Sequence, residues 1–216
     1  MIDGIVFGED PRHGYVENGL FYHPQLKFQF PVPAQWTLNN TPSQVQMYNK
    51  SQDAIIILAI ANANSPAAAA DQFIQQSGAT VQNRKNTSIN GLPAHEVISQ
   101  ISDQQSNLTI AIVSYFIKLD NNIYAFHGYT TVEKFNSYIN TLKSPMRGFK
   151  RLTDRRKINV KPARLKIKKI TRQQTLRQAL QSFAVPSGDL EKMAILNGMN
   201  LNDVVKANTL IKVVQK

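Results

Sequence analysis

The sequence predicts an α+β fold, a mainly antiparallel sheet sandwich with covering helices, followed by a small βααβ unit. Three observations carry that prediction. Between residues 20 and 150 short strand-like runs outnumber helical ones, in the order strands, helix, four strands, helix. The four strands fall into two hairpins with polar turns at Asn90-Gly91 and Asp120-Asn121-Asn122. After residue 163 the pattern changes to one strand, two helices and one strand in about fifty residues.

Residues 1–19 are rich in glycine and charge and read as a loop or wrapped arm, the trailing edge of something that precedes it. Leu26 to Phe30 alternates apolar and polar residues and predicts a half-buried strand, ended by Pro31 and Pro33. Trp36 opens the next extended piece, and Val45 to Tyr48 forms another short strand. Ala54 to Ile60 is continuously apolar and β-branched, as expected of a central strand covered on both faces. Ser65-Pro66 supplies an N-cap and a first-turn proline for a helix that Gly78 ends. Strands follow over 80–89, 94–101, 108–119 and 123–129, the third of them central. Thr131 caps a helix whose apolar face is Val132, Phe135, Tyr138, Ile139 and Leu142, with Pro145 as its end. Residues 151–163 read as a basic linker. Arg164 to Ile170 alternates, with Leu165 and Ile167 expected inward and the lysines outward. A helix over 173–183, a second over Asp189 to Leu196 capped by Ser187, and a strand over Leu210 to Val214 complete the chain.

Charge is distributed unevenly. The formal net charge is +11, yet the stretch 143–177 holds 14 Lys or Arg against Asp154 alone, a local +13, so the remainder nets to −2. A local excess is a statement about partners. Three readings stand: a solvated seam between domains, attraction to an anionic envelope polymer (lipid headgroups or wall acids), and nucleic-acid binding. The candidate anionic contacts are Arg155, Arg156, Lys157, Arg164, Lys166, Lys168 and Lys169. Nucleic-acid sites interleave aromatics or present a basic helix. Here only Phe149 lies among the basic residues, and the helix over 173–183 carries Arg177 alone.

No complete catalytic apparatus is legible, so the chain is expected to be non-catalytic and to need no cofactor. The absence of cysteine excludes disulfides, thiolate metal sites and thiol nucleophiles, and fits any compartment. The longest apolar run, Ala54 to Ala61, is eight residues, too short to span a bilayer. The first residues lack the basic and apolar regions of a signal peptide. His95-Glu96-Val97-Ile98-Ser99 begins like a zinc-protease helix but lacks the second histidine and lies in a strand-like run. His13, His23 and His127 are isolated, and no serine elbow or phosphate loop is present. Glu9-Asp10 belongs to a loop, and Asp189 with Glu191 suits a helix N-terminus.

Three resemblances extend this reading. The last unit resembles a LysM module through its lysine-flanked first strand, Thr175-Leu176, Phe183-Ala184-Val185, Ile195 to Met199 and Ile211 to Val214. Gln173-Gln174 stands where the family has Gly-Asp, and Ala207-Asn208 where it has Pro-Gly. The resemblance implies binding of N-acetylglucosamine-containing glycan, notably peptidoglycan, by Gln174, Thr175, Asn197, Gly198 and Met199. Residues 20–150 resemble the PsbP-like sandwiches through Phe28, Phe30, Pro31, Pro33 and Trp36 and the segment 90–94. That group comprises binding or assembly modules, which implies a protein partner. The whole layout, with Gly8-Glu9-Asp10-Pro11 ahead of the sandwich, is similar to the C-terminal part of HtpX-like exported bacterial zinc metallopeptidases. It implies a periplasmic or envelope setting and a catalytic domain upstream. The expected domains are thus an arm (1–19), a sandwich (20–150), a linker (151–163) and a LysM-like module (164–216).

Overall fold

The structure, a computed structural model, describes residues 2–103 and 108–215. The chain divides into two compact units, His13–Ile158 and a second made of residues 1–12 with Asn159–Lys216.

The larger unit is a sandwich. One layer is a four-stranded sheet, β1-β2-β3-β11, built from Tyr15–Glu17, Leu20–His23, Phe28–Pro31 and Lys150–Arg151. The other is a seven-stranded antiparallel sheet in the order β4-β5-β6-β10-β9-β8-β7. Its strands are β4 (Thr37–Asn40), β5 (Gln44–Tyr48), β6 (Ala54–Ala61), β7 (Thr80–Ile89), β8 (Leu92–Asp103), β9 (Leu108–Leu119) and β10 (Asn122–Thr131). Helix α1 (Pro66–Ser77) follows β6, α2 (Val132–Gly148) follows β10, and the short α3 (Arg155–Ile158) closes the unit.

Aromatic side chains join the layers. Phe28 meets Tyr124 edge-on at 5.0 Å between centroids, and Phe30 meets Phe126 at 5.5 Å. Phe149 packs against Phe28, Tyr124 and Phe126. Leu142 and Met146 of α2 complete the same core. Each such ring buries a large apolar area and favours these tilted geometries. A Cβ on Gly148 would lie 2.3 Å from Cδ of Pro31, so the end of α2 approaches β3 more closely than any larger residue allows. On the other face of the large sheet, Ala69 and Ala70 of α1 pack with Val97, Phe116, Ile123 and Ala125 of β8, β9 and β10.

Local signals explain most elements. Ser65 Oγ accepts the N–H of Ala68, Pro66 opens α1, and Gly78 ends it at φ 66°. Asn90 and Gly91 both adopt positive φ between the paired ends of β7 and β8, the backbone a tight hairpin demands.

Some expectations fail. The segment 1–19 is not one arm: residues 1–12 belong to the other unit, and Tyr15–Glu17 is a strand paired with Leu20–Tyr22. The segment 151–163 is not bare linker, since Leu152 donates to the Lys27 carbonyl and α3 lies within it. Pro145 does not stop α2. It is buried inside the last turn, where packing beside Met146 offsets its missing N–H. Nor is β6 covered on both faces: Ile56 and Leu58 are buried while Ile55 and Ile57 are only half-buried, because α1 lies over β8–β10.

The smaller unit contains β12 (Arg164–Lys169), β13 (Gln174–Thr175), α4 (Leu176–Ser182), α5 (Leu190–Asn197), β14 (Val204–Val205) and β15 (Leu210–Gln215). β12 pairs with β15, and β13 with β14, both antiparallel. Its core joins Ile170, Leu176, Leu180, Leu190, Met193, Ile211 and Val213. The helix expected from Asp189 starts one residue later, after a 3-10 turn at Ser187–Asp189, and Ser187 makes no cap. The alternation of β12 holds only in part: Leu165 is buried as expected and Ile167 half-buried, but Lys166 and Lys168 are half-buried too. Lys166 and Lys168 stand across from the core residues Val213 and Ile211, so the lysines share the helix-packed face. Their stems bury along that face while the ammonium groups reach its rim, with Lys168 Nζ 5.9 Å from the Phe183 ring. Charged residues with long apolar stems break the rule that alternation reads as inside and outside.

Candidate functional site

The residues implicated in glycan binding prove to be heavily engaged in the scaffold. Thr175 Oγ1 accepts the N–H of Gln178, whose Oε1 accepts the N–H of Thr175, a reciprocal cap on α4. Gln174 pairs with Val205 in the β13–β14 ladder. Asn197 acts as a side-chain strand for β15: its Nδ2 donates to the Lys212 carbonyl and its Oδ1 accepts the Lys212 N–H, each at 2.8 Å. Gly198 closes α5 at φ 65°, and the half-buried Met199 packs on the core. Of the five, Asn197 also lines a concavity of about 600 Å³, with Ile2, Asp3, Ile167, Leu210 and Lys212.

The basic candidates are split between the units. In the sandwich, Arg156 is paired with Asp154 at 2.9 Å. Lys157 is paired with Glu17 and stands over the Tyr22 ring. Arg155 is exposed on α3. In the smaller unit, Arg164 donates to the Gly4 carbonyl at 2.6 Å, Lys166 and Lys168 flank the helix-packed face, and Lys169 is exposed.

His95 and Glu96 are neighbours on β8, so their side chains leave opposite faces of the sheet. Nδ1 of His95 meets Asn86 Oδ1 at 2.8 Å. Glu96 bonds Lys143 of α2 at 2.6 Å and lies 3.5 Å from Lys85. Burial alone would raise the Glu96 carboxyl, but the hydrogen bonds from Lys143 and Tyr115 hold it below its ordinary value. Burial pushes the Tyr115 hydroxyl up to about 12. His127 contacts Ser114 Oγ at 2.8 Å and stacks on Phe73, and burial lowers it to about 4. Glu96 thus braces the large sheet against α2 and His127 against α1, while His95 ties β8 to its neighbour β7. Among the described residues no cluster of three or more His, Asp or Glu is placed to hold a metal ion.

A further concavity lies in the smaller unit. It is a cleft of about 810 Å³ lined by Phe7, Phe183, Val185, Pro186, Met193 and Val214, with Asp189, Lys192 and Gln215 as its polar groups. Lys192 Nζ stands 5.3 Å from the centre of the Phe7 ring. Gln215 Nε2 donates to the Phe183 carbonyl and fixes the loop between α4 and α5, in which Ala184 adopts φ 59°. Sequence reasoning missed this cleft because Phe7 is contributed by a segment far from the rest. The one local signal was Phe183-Ala184-Val185-Pro186, an apolar run too short for an element.

No protein-family profile and no curated protein matches the chain. Among solved structures, the chain is similar to cyanobacterial PsbP (CyanoP) from Synechocystis sp. PCC 6803, with a TM-score of 0.50 and 10% identity over 61% of this chain and 91% of that one. Lower likenesses are to the Ran-binding protein Mog1p of Saccharomyces cerevisiae (TM-score 0.44, 10% identity, 64% and 97% covered). LpqN of Mycobacterium tuberculosis, described as involved in cell envelope biogenesis, scores 0.44 at 9% identity, with 58% and 83% covered. The first of these defines the class: a PsbP-like α+β sandwich. At 10% identity the likeness is one of fold. No helix among the described residues is long and apolar enough to cross a membrane.

Proposed function

We propose that this chain is a non-catalytic binding region of a bacterial cell-envelope protein, with the smaller unit as its ligand-contacting part. The observation that supports this reading best is the cleft of that unit. Apolar and aromatic walls with a few polar groups at Asp189, Lys192 and Gln215 are the usual make-up of a recognition site. The resemblance of the βααβ unit to LysM modules favours wall glycan as the ligand. Since Thr175 and Asn197 are committed to the scaffold, the glycan contacts fall to Gln174, Gly198 and Met199 or to the cleft. The sandwich serves as the partner-docking or assembly module. The layout further favours a zinc metallopeptidase domain upstream, which these two units would tether near its targets; the reading frame ahead of Met1 tests that directly.

The ligand is tested by retention on purified peptidoglycan at low and high salt. Retention that survives salt and falls in Lys192→Ala or Met199→Ala is expected. No retention at low salt rejects glycan binding, and retention abolished by salt reduces it to charge attraction. The nucleic-acid reading has less support, because Arg156 and Lys157 are already paired with carboxylates. A gel shift near physiological salt with duplex DNA and RNA is expected to show no complex.

A further inference from the structure

The segment Asp3–Phe7 lies along the edge of β12 as a third strand. Gly4 N–H donates to the Leu165 carbonyl at 2.7 Å, Leu165 N–H to the Ile5 carbonyl at 2.9 Å, and Phe7 N–H to the Ala163 carbonyl at 2.8 Å. Val6 and Arg164 are antiparallel partners. Two side chains hook its start: Asp3 Oδ1 accepts the Ile167 N–H at 2.8 Å, and Arg164 grips the Gly4 carbonyl. From these observations we infer that the edge of β12 is a strand-acceptor site, and that the strand filling it exchanges between two copies of this chain.

The segment is held by its main chain more than by its side chains. Ile2 and Ile5 are 47% and 52% exposed, and no residue of the segment belongs to the buried core of the unit. A strand tied by edge bonds and a few rim side chains leaves without disrupting the core behind it. Its end is free to turn: Gly8 has φ +78° with open space around it, a conformation that only glycine adopts at little cost. The edge is also selective. It takes a carboxylate that caps Ile167, a residue without side chain beside Lys166, and an aromatic ring that Lys192 covers. Asp3, Gly4 and Phe7 carry that pattern, so a second copy is the occupant the edge fits best. Exchange replaces each bond by an identical one and leaves only the hinge to change. The incoming Phe7 would then complete the cleft of its host.

The absence of cysteine makes the test clean. Positions 6 and 164 form a pair without hydrogen bonds between them, the closer of the two antiparallel geometries and the one that suits a disulfide. Val6→Cys and Arg164→Cys proteins carrying different tags are mixed at high concentration and oxidised. A mixed covalent dimer in several-fold excess over either homodimer is expected. The double variant, Val6→Cys with Arg164→Cys in one dilute chain, is expected to close an internal disulfide. A mixture that stays monomeric while the double variant closes overturns the exchange. A double variant that does not close overturns the strand pairing itself.

Discussion

The two units hold themselves together in different ways. In the sandwich, β7 to β10 meander, with tight turns joining β7 to β8 and β9 to β10, so most strand pairs form between segments close in sequence. Its core is thick with rings, and α2 is pinned both by Leu142 and Met146 and by the Lys143–Glu96 pair. The smaller unit has a thinner core of aliphatic residues, and its main sheet joins β12 to β15 across both helices. Its third strand comes from the far side of the sandwich in sequence. The contrast teaches that one unit is stabilised by redundancy and the other by a few long-range closures. Loss of one contact weakens the first and opens the second.

That contrast is sharpest where the largest effect is expected. Phe126→Ala removes a fully buried ring from the centre of the sandwich and is expected to cost about 3–5 kcal/mol. Hydrogen exchange should show the loss in the sandwich alone; equal loss of protection in the smaller unit would break the comparison. Lys143→Ala strands Glu96, 8% exposed, without its closest partner and is expected to cost about 3 kcal/mol in denaturant titrations. The double change Lys143→Met with Glu96→Leu should cost less than the single one. The third effect concerns pH. Burial lowers His127, and His23 likewise, from 6.5 to about 4, so the unfolded chain binds these protons first. Their contribution is complete above about 6.5 and is lost as pH falls towards 4. Thermal scans across that window should show the sandwich weakening, and His127→Phe should flatten the slope. The smallest effect belongs to the other unit: Thr175→Ala removes the reciprocal cap of α4 and is expected to cost about 1 kcal/mol.

Much of this architecture was legible because its signals are local. Ser65-Pro66, Gly78, Asn90-Gly91 and the run 108–119 each determine an element from within itself. The errors share another cause. Tyr15–Glu17 and Leu20–His23 are short, aromatic and irregular, and they become strands only because Phe21, Phe28 and Phe30 stack together. Leu165 of β12 is buried as expected, but the lysines are not simply outward, because Val213 and Ile211 across from them and Ile170 beyond the strand's end put their stems on the packed face. The candidate glycan residues were placed from resemblance, and pattern could not reveal that Asn197 bonds β15, fifteen residues away. The cleft required Phe7 to meet Lys192, a proximity that no sequence window contains.

The strand at Asp3–Phe7 also has a history on the ribosome. Gly4 and Arg164, which hold each other in the finished fold, are 160 residues apart. At roughly 5–20 residues per second, about 8–30 s pass between the synthesis of one and the other. Through that interval the residues of the sandwich are synthesised, while the segment Asp3–Phe7 waits unpaired. The order of synthesis therefore lets the smaller unit close only after the residues of the sandwich have been made.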